Sequence, residues 1–140
     1  MFITRATRHD RSDIADLLKV QGWDDADVTE GHWYIARAGG VVGCVQLVEV
    51  GPQRSVVDNV LVHPEHRGTG VGDALMKAAM NARGGTLFLC CHDDKIAYYE
   101  RFGFTTLDIS ECPDEVVDYW RKVDDYPTPE GHVHHFMKAR

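Results

Sequence analysis

Arg67 is followed by three glycines at alternate positions, Gly68, Gly70 and Gly72, between the apolar run Val60-Leu61-Val62 and the mixed run from Val71 onward. Such spacing suits a turn that leaves a strand and opens a helix. The first amides of a helix have no carbonyl partner within it, and the helix dipole adds partial positive charge there. Together they form a cradle for a phosphate group. The glycines let the backbone approach a ligand and adopt φ > 0. Arg67 adds a formal charge beside the turn.

Two common phosphate loops do not fit. A dinucleotide fingerprint, G-x-G-x-x-G, needs glycine at position 73, which is Asp73. A Walker loop needs Gly-Lys-Ser/Thr where the chain has Asp73-Ala74-Leu75. What remains is Arg67-Gly68-Thr69-Gly70-Val71-Gly72, preceded by Val62-His63-Pro64-Glu65. A bare glycine-rich turn without a ligand is the plain alternative. A second stretch weighs against it: Ala97-Tyr98-Tyr99-Glu100-Arg101-Phe102-Gly103-Phe104, downstream of the apolar run Leu87 to Cys91.

The two motifs, in this order and spacing, resemble the GNAT superfamily of acyl-CoA-dependent N-acetyltransferases. The resemblance covers positions 56 to 104; the first fifty residues and the last thirty carry none. It implies an α/β fold: a mixed, mostly antiparallel sheet of six or seven strands, splayed at a central parallel pair, with helices on both faces. The parallel pair would be the strands at 55–63 and 86–91. Acetyl-CoA would lie in the opening as co-substrate. Its pantetheine arm would pair with the backbone of Val60, Leu61 and Val62. Its pyrophosphate would rest on Arg67, Gly68, Thr69, Gly70, Val71 and Gly72. Many members carry an Asn in the helix before the tyrosine motif; Lys95 is the nearest equivalent here, so that cofactor contact is altered.

The implied chemistry is direct attack of an amine on the thioester. An alkylammonium must lose a proton before it attacks, and the departing thiolate benefits from a proton donor. The resemblance points to a tyrosine donor, Tyr99. Tyr98 is its competitor, but neighbouring helical positions diverge by about 100°. Tyr98 and Phe102 form an i,i+4 pair suited to a core face, which leaves Tyr99 for the site. Asp58 is the favoured base, as the one carboxylate inside the strand at 55–63. Glu49, His63 and an ordered water stay open as alternatives, and an ordinary surface role for Asp58 competes. A small-molecule primary amine is the expected acceptor. A protein or peptide amine, and a catalytically silent acyl-CoA-binding module, are the competing readings.

The bulk composition sets bounds. The chain of 140 residues is expected to form a single domain, 1–140. A net charge of -7 argues against nucleic-acid binding. No run is long enough to span a bilayer, and the N-terminus lacks a signal-peptide core, so a cytoplasmic location is expected. Family members are often dimers, which makes a homodimer the oligomer to test for. The four cysteines, Cys44, Cys90, Cys91 and Cys112, form no C-x-x-C pair. His132, His134 and His135 lie near the C-terminus, and Cys90, Cys91 and His92 end a strand. His132 and His134 would share one face of a strand, but nothing supplies a clear third and fourth ligand, so no metal is expected.

The elements that must position these groups follow from periodicity and breakers. Strands are expected at 2–6, 32–38, 41–50, 55–63, 86–91, 104–109 and 132–138. Helices are expected from Asp10, as N-cap, to Val20, over 70–81 with Val71, Leu75, Ala78 and Ala79 as its buried stripe, and over 95–102 and 113–122. A short helix or acidic loop is expected at 23–28.

Overall fold

The computed structural model describes residues 1–140. In chain order it contains β1 (Phe2–Arg5), α1 (Arg11–Gln21), β2 (His32–Arg37), β3 (Val41–Gly51), β4 (Arg54–Val62), α2 (Val71–Ala82), β5 (Thr86–His92), α3 (Ile96–Glu100), β6 (Thr105–Leu107), α4 (Asp114–Lys122) and β7 (His134–Ala139). The seven strands form one sheet in the order β1-β2-β3-β4-β5-β7-β6. β4 and β5 run parallel. The pairs β1–β2, β2–β3, β5–β7 and β6–β7 run antiparallel. This is the mixed, mostly antiparallel sheet with one parallel pair that the sequence led us to expect. No helix is long and apolar enough to cross a membrane.

The chain groups into two compact units, 1–48 with 57–84 and 49–56 with 85–140. In the first unit, Ile14, Leu17 and Leu18 recur at helical spacing on α1. They bury against Trp33 and Ile35 of β2, Cys44 of β3 and Leu61 of β4. Fully burying each such side chain is worth about 1.5–3 kcal/mol, so this cluster, rather than any surface ion pair, holds α1 down. Gly22 ends α1 in a left-handed conformation, donating to Leu18 and Lys19 carbonyls. Asp10 stands at the N-cap of α1, as expected, but its side chain does not bond to that helix. The carboxylate instead closes a capping box with Thr7 over the preceding 3-10 turn at Arg8–Asp10. The segment at 23–28 is an acidic loop without a helix. Asp27 bends it by accepting from the Thr29 amide at 2.9 Å.

α2 buries Val71, Leu75, Met76 and Ala79. Met76 takes the place expected of Ala78, which is only half-buried. Its seat on β3 is Gly43, where an added Cβ would lie 2.9 Å from Leu75 Cδ1 and 3.0 Å from Val71 Cγ1. A side chain at 43 would force the Leu75 and Val71 side chains to shift and would crowd the Leu61 carbonyl at 3.3 Å.

In the second unit β5 is the axis, with Leu87, Phe88 and Leu89 buried. It pairs with β4 at three positions, Arg54↔Thr86, Ser55↔Leu87 and Val56↔Phe88. Against β7 it pairs from Leu87↔Ala139 to His92↔His134. α4 buries Val116, Val117, Tyr119 and Trp120, and the Trp120 ring lies 4.7 Å from that of Phe136. Arg54 forms an ion pair with Glu115 at the edge of this packing. Pro113 stands at the N-cap of α4 rather than inside its first turn. α3 is shorter than expected, because residues 101–103 form a turn. β6 is limited to three residues, and β7 starts at His134, so His132 precedes the strand.

Candidate functional site

The glycine turn is built from both sides. Pro64 starts a 3-10 turn at Pro64–His66, and His63 caps it by accepting from the Glu65 amide at 3.1 Å. Gly68 and Gly70 then adopt φ of +76° and +84°. A Cβ on either would meet nothing within 4 Å, so backbone conformation, not crowding, requires glycine there. Gly70 is the N-cap of α2 and offers no side-chain cap. The Ala74 amide bonds back to the Gly70 carbonyl at 3.1 Å. The amides of Val71, Gly72 and Asp73 precede the first helical carbonyl they could reach, as at any helix start. Thr69 closes the turn by donating its hydroxyl to the His66 carbonyl.

Arg67 does not simply project into solvent. Its Nε donates to the Val62 carbonyl at 3.1 Å and its guanidinium donates to Gln21 Oε1 at 3.2 Å. The charge therefore stays beside the turn while the side chain ties β4 to the end of α1. Nothing in the pattern of α1 marked Gln21 for this role.

β4 carries a kink that the sequence reading missed. Asn59 has φ of +48°, the left-handed region, inside the strand. Asparagine tolerates this better than most residues because its short side chain can bond locally. Its Nδ2 donates to Gln46 Oε1 at 2.8 Å. Gln46 is 2% exposed and its own Nε2 donates to the Glu30 carbonyl at 3.0 Å. The Asn59 amide turns to Asp58 Oδ1 at 2.8 Å, and the Asn59 carbonyl accepts from the Cys44 thiol at 3.4 Å. The kink breaks the alternation that a regular strand would show from Val56 to Val62. Val56 and Val57 are both buried, and beyond the kink Leu61 is buried while Val60 and Val62 are half-buried. An Asp-Asn pair inside a valine-rich strand was the available signal.

Asp58 thus has a structural partner in its neighbour's amide. Glu49 is exposed and His63 is half-buried. These residues and the glycine turn belong to the first unit except Glu49; Lys95 and Tyr99 belong to the second.

Tyr99 lies on α3, half-buried, with its ring 6.1 Å from Phe104 and 5.1 Å from Tyr98. The Tyr99 carbonyl accepts from the Phe102 amide at 3.0 Å, fixing the helix end. Tyr98 packs edge-on against Phe102 at 5.2 Å, as the i,i+4 spacing predicts, and Arg101 covers both rings. Lys95 is exposed and stands at the N-cap of α3.

The buried thiols are poor nucleophiles. Burial pushes Cys44 up to about 12, and burial with nearby carboxylates pushes Cys91 and Cys112 up to about 11. All four cysteines are free.

With this geometry in place, the similarities to known proteins can be stated. Residues 29–106 match the family model for the acetyltransferase (GNAT) domain. No curated protein matches the sequence. A Mycobacterium tuberculosis protein crystallised in complex with CoA shares 20% identity at a TM-score of 0.73, over 99% of this chain and 98% of its own. A GNAT-family acetyltransferase from Staphylococcus aureus shares 14% identity at a TM-score of 0.71, over 99% and 97%. N-acetylglutamate synthase from Neisseria gonorrhoeae, complexed with coenzyme A and N-acetyl-glutamate, shares 19% identity at a TM-score of 0.73. That match covers 100% of this chain and 35% of the synthase. The matched family model spans more than half of the sequence and takes in the glycine turn, the kinked strand and the tyrosine helix: the chain belongs to the GNAT acetyltransferase family.

Proposed function

We propose that this chain transfers an acetyl group from acetyl-CoA to the primary amine of a small molecule, by direct attack. The observation that carries the reading is the pair of left-handed glycines, Gly68 and Gly70, setting bare amides at the start of α2. The pyrophosphate of the coenzyme would sit on the turn from Arg67 to Gly72, and its pantetheine arm would run along Val60 to Val62. The CoA found with the M. tuberculosis neighbour and with N-acetylglutamate synthase supports this donor. The synthase also supports a small acceptor, since its complex contains N-acetyl-glutamate.

In the step proposed, the amine lone pair attacks the thioester carbonyl carbon. The tetrahedral intermediate collapses with cleavage of the C–S bond. Asp58 has by then taken the proton of the alkylammonium, directly or through water; the departing thiolate takes a proton from the Tyr99 hydroxyl, and the surplus proton on the nitrogen returns to the tyrosinate. A backbone amide of β4 near Val60 would stabilise the oxyanion. Three protonated, buried thiols support direct attack over an acyl-cysteine route. We take residues 1–140 as one acetyltransferase domain, because β3 and β4 each run through both units. Four free cysteines support a reducing compartment, in keeping with a cytoplasmic enzyme.

The test is release of free CoA thiol from acetyl-CoA across a panel of small amines and amine-terminal peptides. Turnover with small amines supports the proposal. Turnover confined to peptides would move the acceptor class. CoA binding without turnover on any amine would leave only an acyl-CoA-binding module.

A further inference from the structure

From the sequence, His132 and His134 and the strand-end residues Cys90, Cys91 and His92 make no clear ligand set, because nothing local shows which of them meet. The register of the sheet supplies one. β5 ends at His92 and β7 begins at His134, and these two are direct cross-strand partners. His132, two residues before the strand, turns back beside them. The ring centroids of His92 and His134 are 5.0 Å apart, those of His92 and His132 5.4 Å, and those of His132 and His134 5.6 Å. One ring nitrogen from each lies within 4.8 Å of the other two.

From this we infer that His92, His132 and His134 form a binding site for a divalent transition metal of the zinc class. A tetrahedral zinc with Zn–N bonds of about 2.0–2.1 Å holds its nitrogens roughly 3.3 Å apart. The imidazoles can close that gap by side-chain rotation, because His92 and His132 are exposed at the rim of an open hollow.

A second observation points the same way. Nδ1 of His134 lies 2.9 Å from the Asp125 backbone carbonyl. A carbonyl only accepts, so Nδ1 carries the proton and the lone pair of the neutral ring is on Nε2. Metal-binding histidines are oriented by such a bond. The remaining position faces the hollow bounded by Asp93, Asp94, Gly131 and Val133, where water or an exchangeable ligand would complete the shell. Asp93 is engaged elsewhere, in a hydrogen bond with His135 Nε2.

Nitrogen donors select zinc, cobalt, nickel or copper over magnesium and calcium, which take oxygen ligands. The metal would clamp the end of β5 to the start of β7 and fix the turn that leads from His92 into α3, the helix bearing Tyr99. A second grouping, Cys90, Asp125 and His134, shares His134. It would use a thiolate and is therefore separable by spectroscopy.

The experiment uses tag-free, chelator-treated protein titrated with Co²⁺ and, by competition with a chromophoric chelator, with Zn²⁺. Mg²⁺ serves as the negative control. The inference expects about one equivalent bound per chain, visible d–d bands without a thiolate charge-transfer band, and a rise in Tm with Zn²⁺ but not Mg²⁺. His92→Ala and His132→Ala, both at exposed positions, should each weaken binding about tenfold or more, while His135→Ala retains it. No saturable binding, or undiminished binding in both single variants, overturns the site. A strong thiolate band lost in Cys90→Ser would transfer the metal to the other grouping and equally overturn it.

Discussion

Nδ2 of Asn59 donates to Oε1 of Gln46 across 2.8 Å, and this bond supports the one left-handed residue found inside a strand. Orientation of the two amides is fixed by a chain of donors. Gln46 Nε2 must face the Glu30 carbonyl, so its oxygen faces Asn59. Replacing Gln46 with Leu would strand the Asn59 side-chain amide, while the Glu30 carbonyl keeps the Trp33 indole N–H at 3.1 Å. We expect a loss of about 1–3 kcal/mol in urea unfolding. A double-mutant cycle with Asn59→Gly should recover coupling between the two sites; strict additivity would show that the bond does not hold the kink.

Gly70 tests the phosphate cradle. Gly70→Val places a β-branched residue at φ +84°. The strain is about 1–2 kcal/mol, and a distorted turn also loses its aim at the pyrophosphate. CoA affinity by calorimetry should fall tenfold or more, with Tm changed by only a few degrees. Unchanged affinity would remove the turn from the coenzyme site.

Tyr99→Phe removes one hydroxyl and keeps the packing against Phe104. If the hydroxyl protonates the departing thiolate, kcat should fall about 10²-fold or more, with little change in the KM for acetyl-CoA. Tyr98→Phe should leave kcat near wild type. Equal effects of the two substitutions would assign both rings to packing alone.

Asp58→Asn separates catalysis from scaffolding. An amide oxygen still accepts from the Asn59 amide, so the fold should persist. Activity should fall most near neutral pH, where the acceptor amine is still protonated and depends on a base. A pH profile parallel to that of the wild type would transfer the proton to Glu49, His63 or water.

Acid should loosen the N-terminal capping box. The Thr7 amide, and then the Arg37 side chain, hold the Asp10 carboxyl below the usual carboxylate value. A lowered folded pKa means that this stabilisation is full above about 3.9, the unfolded value. It is lost as pH falls through the folded value. Asp10→Asn should cost about 1 kcal/mol at neutral pH and lose less than wild type between about pH 6 and pH 3, measured by urea midpoints. Identical pH dependence of the two proteins would sink this assignment.

Much of the glycine turn was legible in the sequence, for a physical reason. Gly68 and Gly70 must be glycines to hold positive φ, and Pro64 must stop the strand, so the turn is written in residue types. The i,i+4 pairing of Tyr98 with Phe102 is likewise local and was read correctly. The kink at Asn59 was not, because valines on both sides mask a conformational change of one residue. The meeting of His92 with His134 was not legible either, because register, not local sequence, brings them opposite each other. Met76 displaced Ala78 from the buried stripe because the face that α2 presents is set by what lies beneath it, including Gly43.

The interleaving of the two units bears on synthesis. Residues of the first unit are complete once position 84 has left the ribosome, but the second has by then only 49–56. Arg54, Ser55 and Val56 are made some thirty residues before Thr86, Leu87 and Phe88, the strand they pair with. During that interval a nascent chain carries an open, apolar strand edge. The window for chaperone capture or for wrong pairing is therefore set by the time taken to translate α2.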